Sequence, residues 1–136
     1  MAQSNYLYNK ILQLLIGNRE FENVNTFYMA LSFNENGQEV LEPIGNGYKR
    51  PSVANNSINW SEEVNGIVEN LVDISFEEST GSWGNNPFKS VAIYDSLTGG
   101  NLLYSGSLPV NMQKIIQNAA VVLIPAGSVK FGKVVE

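Results

Sequence analysis

The chain has 136 residues, 43% of them apolar, with a formal net charge of -5 from 8 basic and 13 acidic residues. That length and apolar content suit one real hydrophobic core and exclude a disordered chain. The acidic balance argues against a nucleic-acid face, which must neutralise phosphates, and against an anionic membrane surface. Cysteine and histidine are absent. Disulfides, thiolate chemistry, the usual general base near neutral pH and the commonest metal ligand go with them. The opening MAQSNYLYNK has no apolar signal core, and no run of about 18 apolar residues offers a membrane span.

Residues 4–16 form the clear helix candidate. Ser4 or Asn5 can cap it, and Leu7, Tyr8, Ile11, Leu12, Leu15 and Ile16 recur at helical spacing, with Leu14 widening the stripe. Gly17-Asn18 ends it, because both tolerate a left-handed conformation. Its polar side is thin (Asn9, Lys10, Gln13), so the helix must lie against a sheet or another subunit.

TFYMALSF, residues 26–33, is the first strong strand. Phe27, Met29, Leu31 and Phe33 share one face, and Tyr28, Ala30 and Ser32 the other. Residues 34–47 read as a surface excursion with turns at Asn36-Gly37 and Gly45-Asn46-Gly47. Residues 48–53 read as an edge strand, since Pro51 cannot serve a central ladder. Ile58 to Trp60 is a short strand candidate. Residues 67–76 read as a strand broken near Glu69-Asn70. Phe76 to Gly106 reads as a hairpin entered through a glycine-rich connection that holds Trp83. Residues 89–94 and 102–104 are its strands, and Asp95, Thr98, Gly99 and Gly100 build its turn. Residues 110–118 fit either a strand or a second helix. Residues 119–124 are strand-like, and 128–135 form a last strand with Val129, Phe131 and Val134 directed inward. Eight or nine short strands after one helix make the expected fold mainly β. The expectation is an antiparallel β-sandwich, jelly-roll-like arrangements included, in one domain over residues 1–136.

Few residues carry chemistry. Glu62-Glu63 and Glu77-Glu78 lack the spacing of a calcium loop, and adjacent strand residues point to opposite faces. Ser4, Ser61 and Ser107 have no histidine partner. No catalytic residue, metal ligand or cofactor site is expected. Lys49-Arg50 reads as a solvated edge. Trp60 and Trp83 sit beside turn-forming residues. Exposed, each can stack on a sugar or enter a partner; folded back, each seals an open end of the sandwich.

Three segments together resemble a family of small tailed-bacteriophage virion proteins, usually labelled tail or tail-fibre proteins. The matching residues are Tyr6 to Gly17, Tyr28 to Phe33, Gly47-Tyr48-Lys49-Arg50, Phe76, Trp83-Gly84, Ile93 to Asp95, Thr98 to Leu103, Gly106 and Ile124 to Gly127. Trp83-Gly84 followed by Asp95, Thr98-Gly99-Gly100 and Leu102-Leu103 is the most specific part. Asn86-Pro87-Phe88 and the acidic 34–47 segment depart from the pattern. The resemblance implies a non-enzymatic virion component, made in the host bacterial cytoplasm and present in several copies. Its partners would be other virion proteins of the tail, collar, fibre or head. It carries across no catalytic residue. Leu7, Tyr8, Ile11, Leu12, Leu15 and Ile16 are then the assembly candidates. A glycan- or receptor-binding module using Trp60 and Trp83 is the second reading, and a carboxylate hydrolase is a distant third.

Overall fold

The computed structural model of the chain describes residues 1–132, so Val134 lies outside the described residues. The chain is mainly β and every strand pair is antiparallel. The first element, β1 (Ala2–Gln3), has no counterpart in the sequence reading. It leads into α1 (Asn5–Leu15), followed by β2 (Thr26–Ser32), β3 (Ser52–Ala54), β4 (Ile67–Glu69), β5 (Ile74–Ser75), β6 (Ser90–Tyr94), β7 (Leu102–Ser107), β8 (Leu123–Ile124) and β9 (Lys130–Gly132). Five strands form one sheet in the order β1-β7-β6-β2-β3. The pairs β4-β9 and β5-β8 are separate two-stranded ribbons. The second layer is thus two ribbons rather than a continuous sheet.

The register of β2 on β6 sets Met29 opposite Ile93 and Leu31 opposite Val91, and that of β6 on β7 sets Ile93 opposite Tyr104. These residues share one face of the sheet. They join Ile74, Phe76, Ile124, Val129 and Phe131 of the ribbon side in one core cluster. Ala30, Ala92 and Leu103 alternate to the other face and are also buried.

Ser4 caps α1, its hydroxyl accepting from the Leu7 N–H at 3.1 Å. Gly17 and Asn18 follow the helix with φ of 100° and 52°. The break expected near Glu69-Asn70 separates β4 from β5. There Asn70 is buried, its amide donating to the carbonyls of Val72 and Pro125 and its carbonyl accepting from the Val129 N–H.

Three local readings change. Residues 110–118 are neither strand nor α-helix: Val110–Met112 is a single 3-10 turn, and irregular backbone follows. The carbonyls of Lys114 and Ile116 accept instead from the N–H groups of Phe88 and Trp83. Residues 58–60 are not a strand, because the Asn56 side-chain oxygen accepts from the N–H groups of Ile58 and Asn59 and curls the chain into a turn. Pairing in 119–124 is confined to Leu123–Ile124; upstream, Ala119 adopts φ 61° and the Ser79 hydroxyl takes the Ala120 N–H.

Candidate functional site

Both tryptophans are buried, Trp60 at 6% exposure and Trp83 at 4%. The indole N–H of Trp83 donates to the Asn46 carbonyl at 2.8 Å, and that of Trp60 to the Ala54 carbonyl at 3.2 Å. They belong to two aromatic groups at the two ends of β2. Trp60 packs with Phe27 and Phe131; Trp83 packs with Tyr48, Phe76 and Phe88, and Phe88 stacks on Phe33. The reading of Trp60 and Trp83 as exposed ligand-binding aromatics is therefore corrected. Each saturates its N–H on a backbone carbonyl and closes one end of the core. Gly84 makes the second closure achievable: its φ is 141°, and a Cβ there would stand 2.8 Å from the Phe33 ring.

The hairpin turn is built as follows. Asp95 accepts from the Asn101 N–H at 2.7 Å and from the Asn101 side-chain amide at 2.9 Å. Gly99 and Gly100 have positive φ, and a Cβ on Gly100 would meet Ser96 at 2.6 Å and the Asp95 carboxylate at 2.7 Å. Thr98 contributes its carbonyl, which accepts from the Ser96 hydroxyl.

Arg50 clamps this turn from outside and is not a solvated edge residue; it is 6% exposed. Its guanidinium makes a forked contact with the Glu42 carboxylate, the shortest arm being 2.5 Å, and donates to the carbonyls of Ser96 and Gly99 at 2.8 and 2.9 Å. It also lies 3.8 Å from the centre of the Tyr94 ring. The Tyr48 hydroxyl donates to Glu42 at 2.6 Å and accepts from the Leu31 N–H at 3.1 Å. Burial and the adjoining Glu42 carboxylate push the Tyr48 phenol well above its usual range, and burial raises Tyr94 against the opposing charge of Arg50. For Arg50, burial works downward, but the Glu42 hydrogen bond and charge outweigh it and the net shift is upward. The chain's excursion, edge strand and hairpin turn thus meet on one guanidinium. Lys49, its sequence neighbour, is exposed and pairs with Glu77.

Three further carboxylates hold structure. Glu63 accepts from the Gly66 N–H, Asp73 from the Ala126 N–H, and Glu69 pairs with Lys130. Among the described residues no group of three or more acidic side chains is placed to hold a metal ion. A polar cavity of about 520 Å3 lies between α1 and the hairpin turn, with Tyr6, Lys10, Glu22, Tyr28 and Asp95 in its wall.

The assembly candidates divide. Leu7 is buried, and α1 packs against β7. Tyr8, Ile11, Leu12, Leu15 and Ile16 are exposed together with Leu14, and Leu15 and Ile16 reach 76% and 71%. Leu7, in the first turn, is the buried residue of the helix, and the second half of the helix presents an apolar surface with no basic residue in the last turn.

Antiparallel β architecture and a closed aromatic core define a β-rich body with an outward apolar helix surface. One protein-family model matches residues 2–132 of the chain, that of the podophage GP4 fiber I protein gp80. The chain belongs to this podophage fibre family. The comparison with curated proteins returned no match.

Proposed function

We infer that the chain is a non-enzymatic structural component of a phage tail fibre, acting through contacts with other virion proteins. Membership of the podophage fibre family supports the virion setting and the fibre role. The observation that carries the contact mechanism is the exposed row Ile11, Leu12, Leu15 and Ile16 on α1. An 11-residue helix is marginal when half of it lacks packing. An apolar surface of this kind in a folded protein marks an interaction site. Full burial of an isoleucine or leucine contributes on the order of 1.5–3 kcal/mol; Leu15 and Ile16, the most exposed of the row, gain most from a neighbour, and Ile11 and Leu12 gain less. The chain folds in the host cytoplasm and the helix is covered on incorporation.

The test is the double variant Leu15→Glu/Ile16→Glu in the virus. The isolated protein is expected to melt as the parent does, and its content in purified virions to fall at least tenfold. Parental content in virions would remove α1 from the assembly contact.

A further inference from the structure

β8 uses one of its two edges. In its register with β5, Ile74 faces Ile124 and Ser75 faces Leu123. Pro125 has no N–H to give, and the Phe76 N–H donates to the Val122 carbonyl at 2.9 Å. Ile74 and Ile124 are therefore the pair that exchanges both ladder bonds, and the N–H and C=O of Leu123 are directed away from β5. By alternation the same holds for Val121. Neither residue's backbone has a partner among the described residues. A cavity of about 440 Å3 runs along this edge, walled by Leu31, Phe88, Leu108, Met112 and Ile116. Lys114 is the one charged residue in its lining, and it enters none of the ion pairs among the described residues. The side chains of Val121 and Leu123 are exposed beside it.

An unpaired strand edge next to a trough of apolar side chains with Asn111 and Lys114 among them is complementary to an extended peptide. Such a strand would lie about 4.8 Å from β8, taking its main-chain bonds from Leu123 and Val121. We propose that this groove receives an extended segment of another virion chain as an added strand on β8, with apolar side chains at alternate positions and an acidic residue opposite Lys114. Lys114 is the one charge in this groove and has no ion-pair partner among the described residues, so the local complement is an acidic residue on the incoming segment. The proposal rests on the structural reading above and gives it a second, independent contact.

Hydrogen exchange at the amides of Val121 and Leu123, measured in the isolated protein and in purified virions, is the direct test. Fast exchange in isolation and at least tenfold slower exchange in virions is expected. Leu123→Pro removes the outward N–H without touching the β5 ladder, a change that an edge position accepts. It is expected to lower virion content about tenfold, whereas Leu123→Thr, which keeps the N–H, incorporates normally. Equal exchange rates in the two settings would overturn the proposal, as would protection already present in the isolated protein, since the chain's own copies would then fill the groove. Should the proline variant fail to fold, the exchange comparison on the unaltered chain decides. Absence of the chain from virions would overturn the structural reading and this proposal with it; presence with unprotected amides overturns the groove alone.

Discussion

Trp83 and Ile16 invert the usual association between regular structure and burial. Trp83 lies in an irregular, glycine-rich connection and is 4% exposed; Ile16 caps a regular helix and is 71% exposed. The connection around Trp83 is held by groups distant in sequence: the Asn46 carbonyl on the indole, the Ile116 carbonyl on the Trp83 N–H, and the ring of Phe88. The helix is held by Leu7 and by the Ser4 N–H, which donates to the Leu103 carbonyl. Burial follows from how many remote elements converge on a residue, not from the regularity of its own segment. An apolar residue on which little converges is available to a partner.

Substitutions should separate these two regions in a graded way. Trp83→Ala removes the central ring of one aromatic group and one of the two N–H donors to the Asn46 carbonyl, so a loss of about 4 kcal/mol is expected by denaturant unfolding. Arg50→Ala should cost about 3 kcal/mol, the low end for a buried ion pair because Glu42 keeps some contact with solvent, and should leave the 95–101 turn without its clamp. A loss under about 1 kcal/mol would mean that the turn stands on Asp95 and its glycines alone.

Tyr48→Phe leaves the Leu31 N–H without its acceptor and removes one of the two donors to a Glu42 oxygen that keeps Arg50, and should cost about 1–3 kcal/mol. Its signature is in the pH dependence. The folded chain holds the Tyr48 proton to higher pH than the unfolded chain does. That contribution to stability is fully present below about pH 10 and is lost as the pH rises beyond it. The parent protein should therefore lose stability steeply in alkali, and Tyr48→Phe should flatten the curve, leaving the smaller part due to Tyr94. An unchanged alkaline slope would show that the phenol opens to solvent before unfolding.

At the far end of the scale, Leu15→Glu/Ile16→Glu should change the stability of the isolated chain by no more than about 0.5 kcal/mol, while removing it from virions. A loss of several kcal/mol would mean that the helix end packs on its own body, and the contrast with Trp83 would vanish.

Much of this was legible in order along the chain. Ser4 and Gly17-Asn18 bounded the helix, the alternation in 26–33 marked an interior strand, and Asp95 with Gly99-Gly100 marked the hairpin, because caps, period-2 patterning and positive-φ turns are local properties. The resemblance carried by Trp83-Gly84 and the glycine turn led to the fibre family that the chain belongs to. Arg50 and Glu42 were misplaced on the surface because nothing local distinguishes a solvated arginine from one whose acceptors lie 46 and 49 residues away. Residues 110–118 were ambiguous for the same reason: their carbonyls are claimed by the 83–88 loop.

The sequence by itself determined the helix and its caps, the alternation of the 26–33 strand and the glycine turn of the hairpin, and that histidine and cysteine chemistry is absent. The tertiary structure decided the fate of the residues that two readings fitted equally. It sent both tryptophans inward and left the helix row and the β8 edge outward. The physical reason is that capping and alternation are settled within a few residues. Burial, ion pairing and edge satisfaction depend on groups that meet only when the sheet and its two ribbons close over one core.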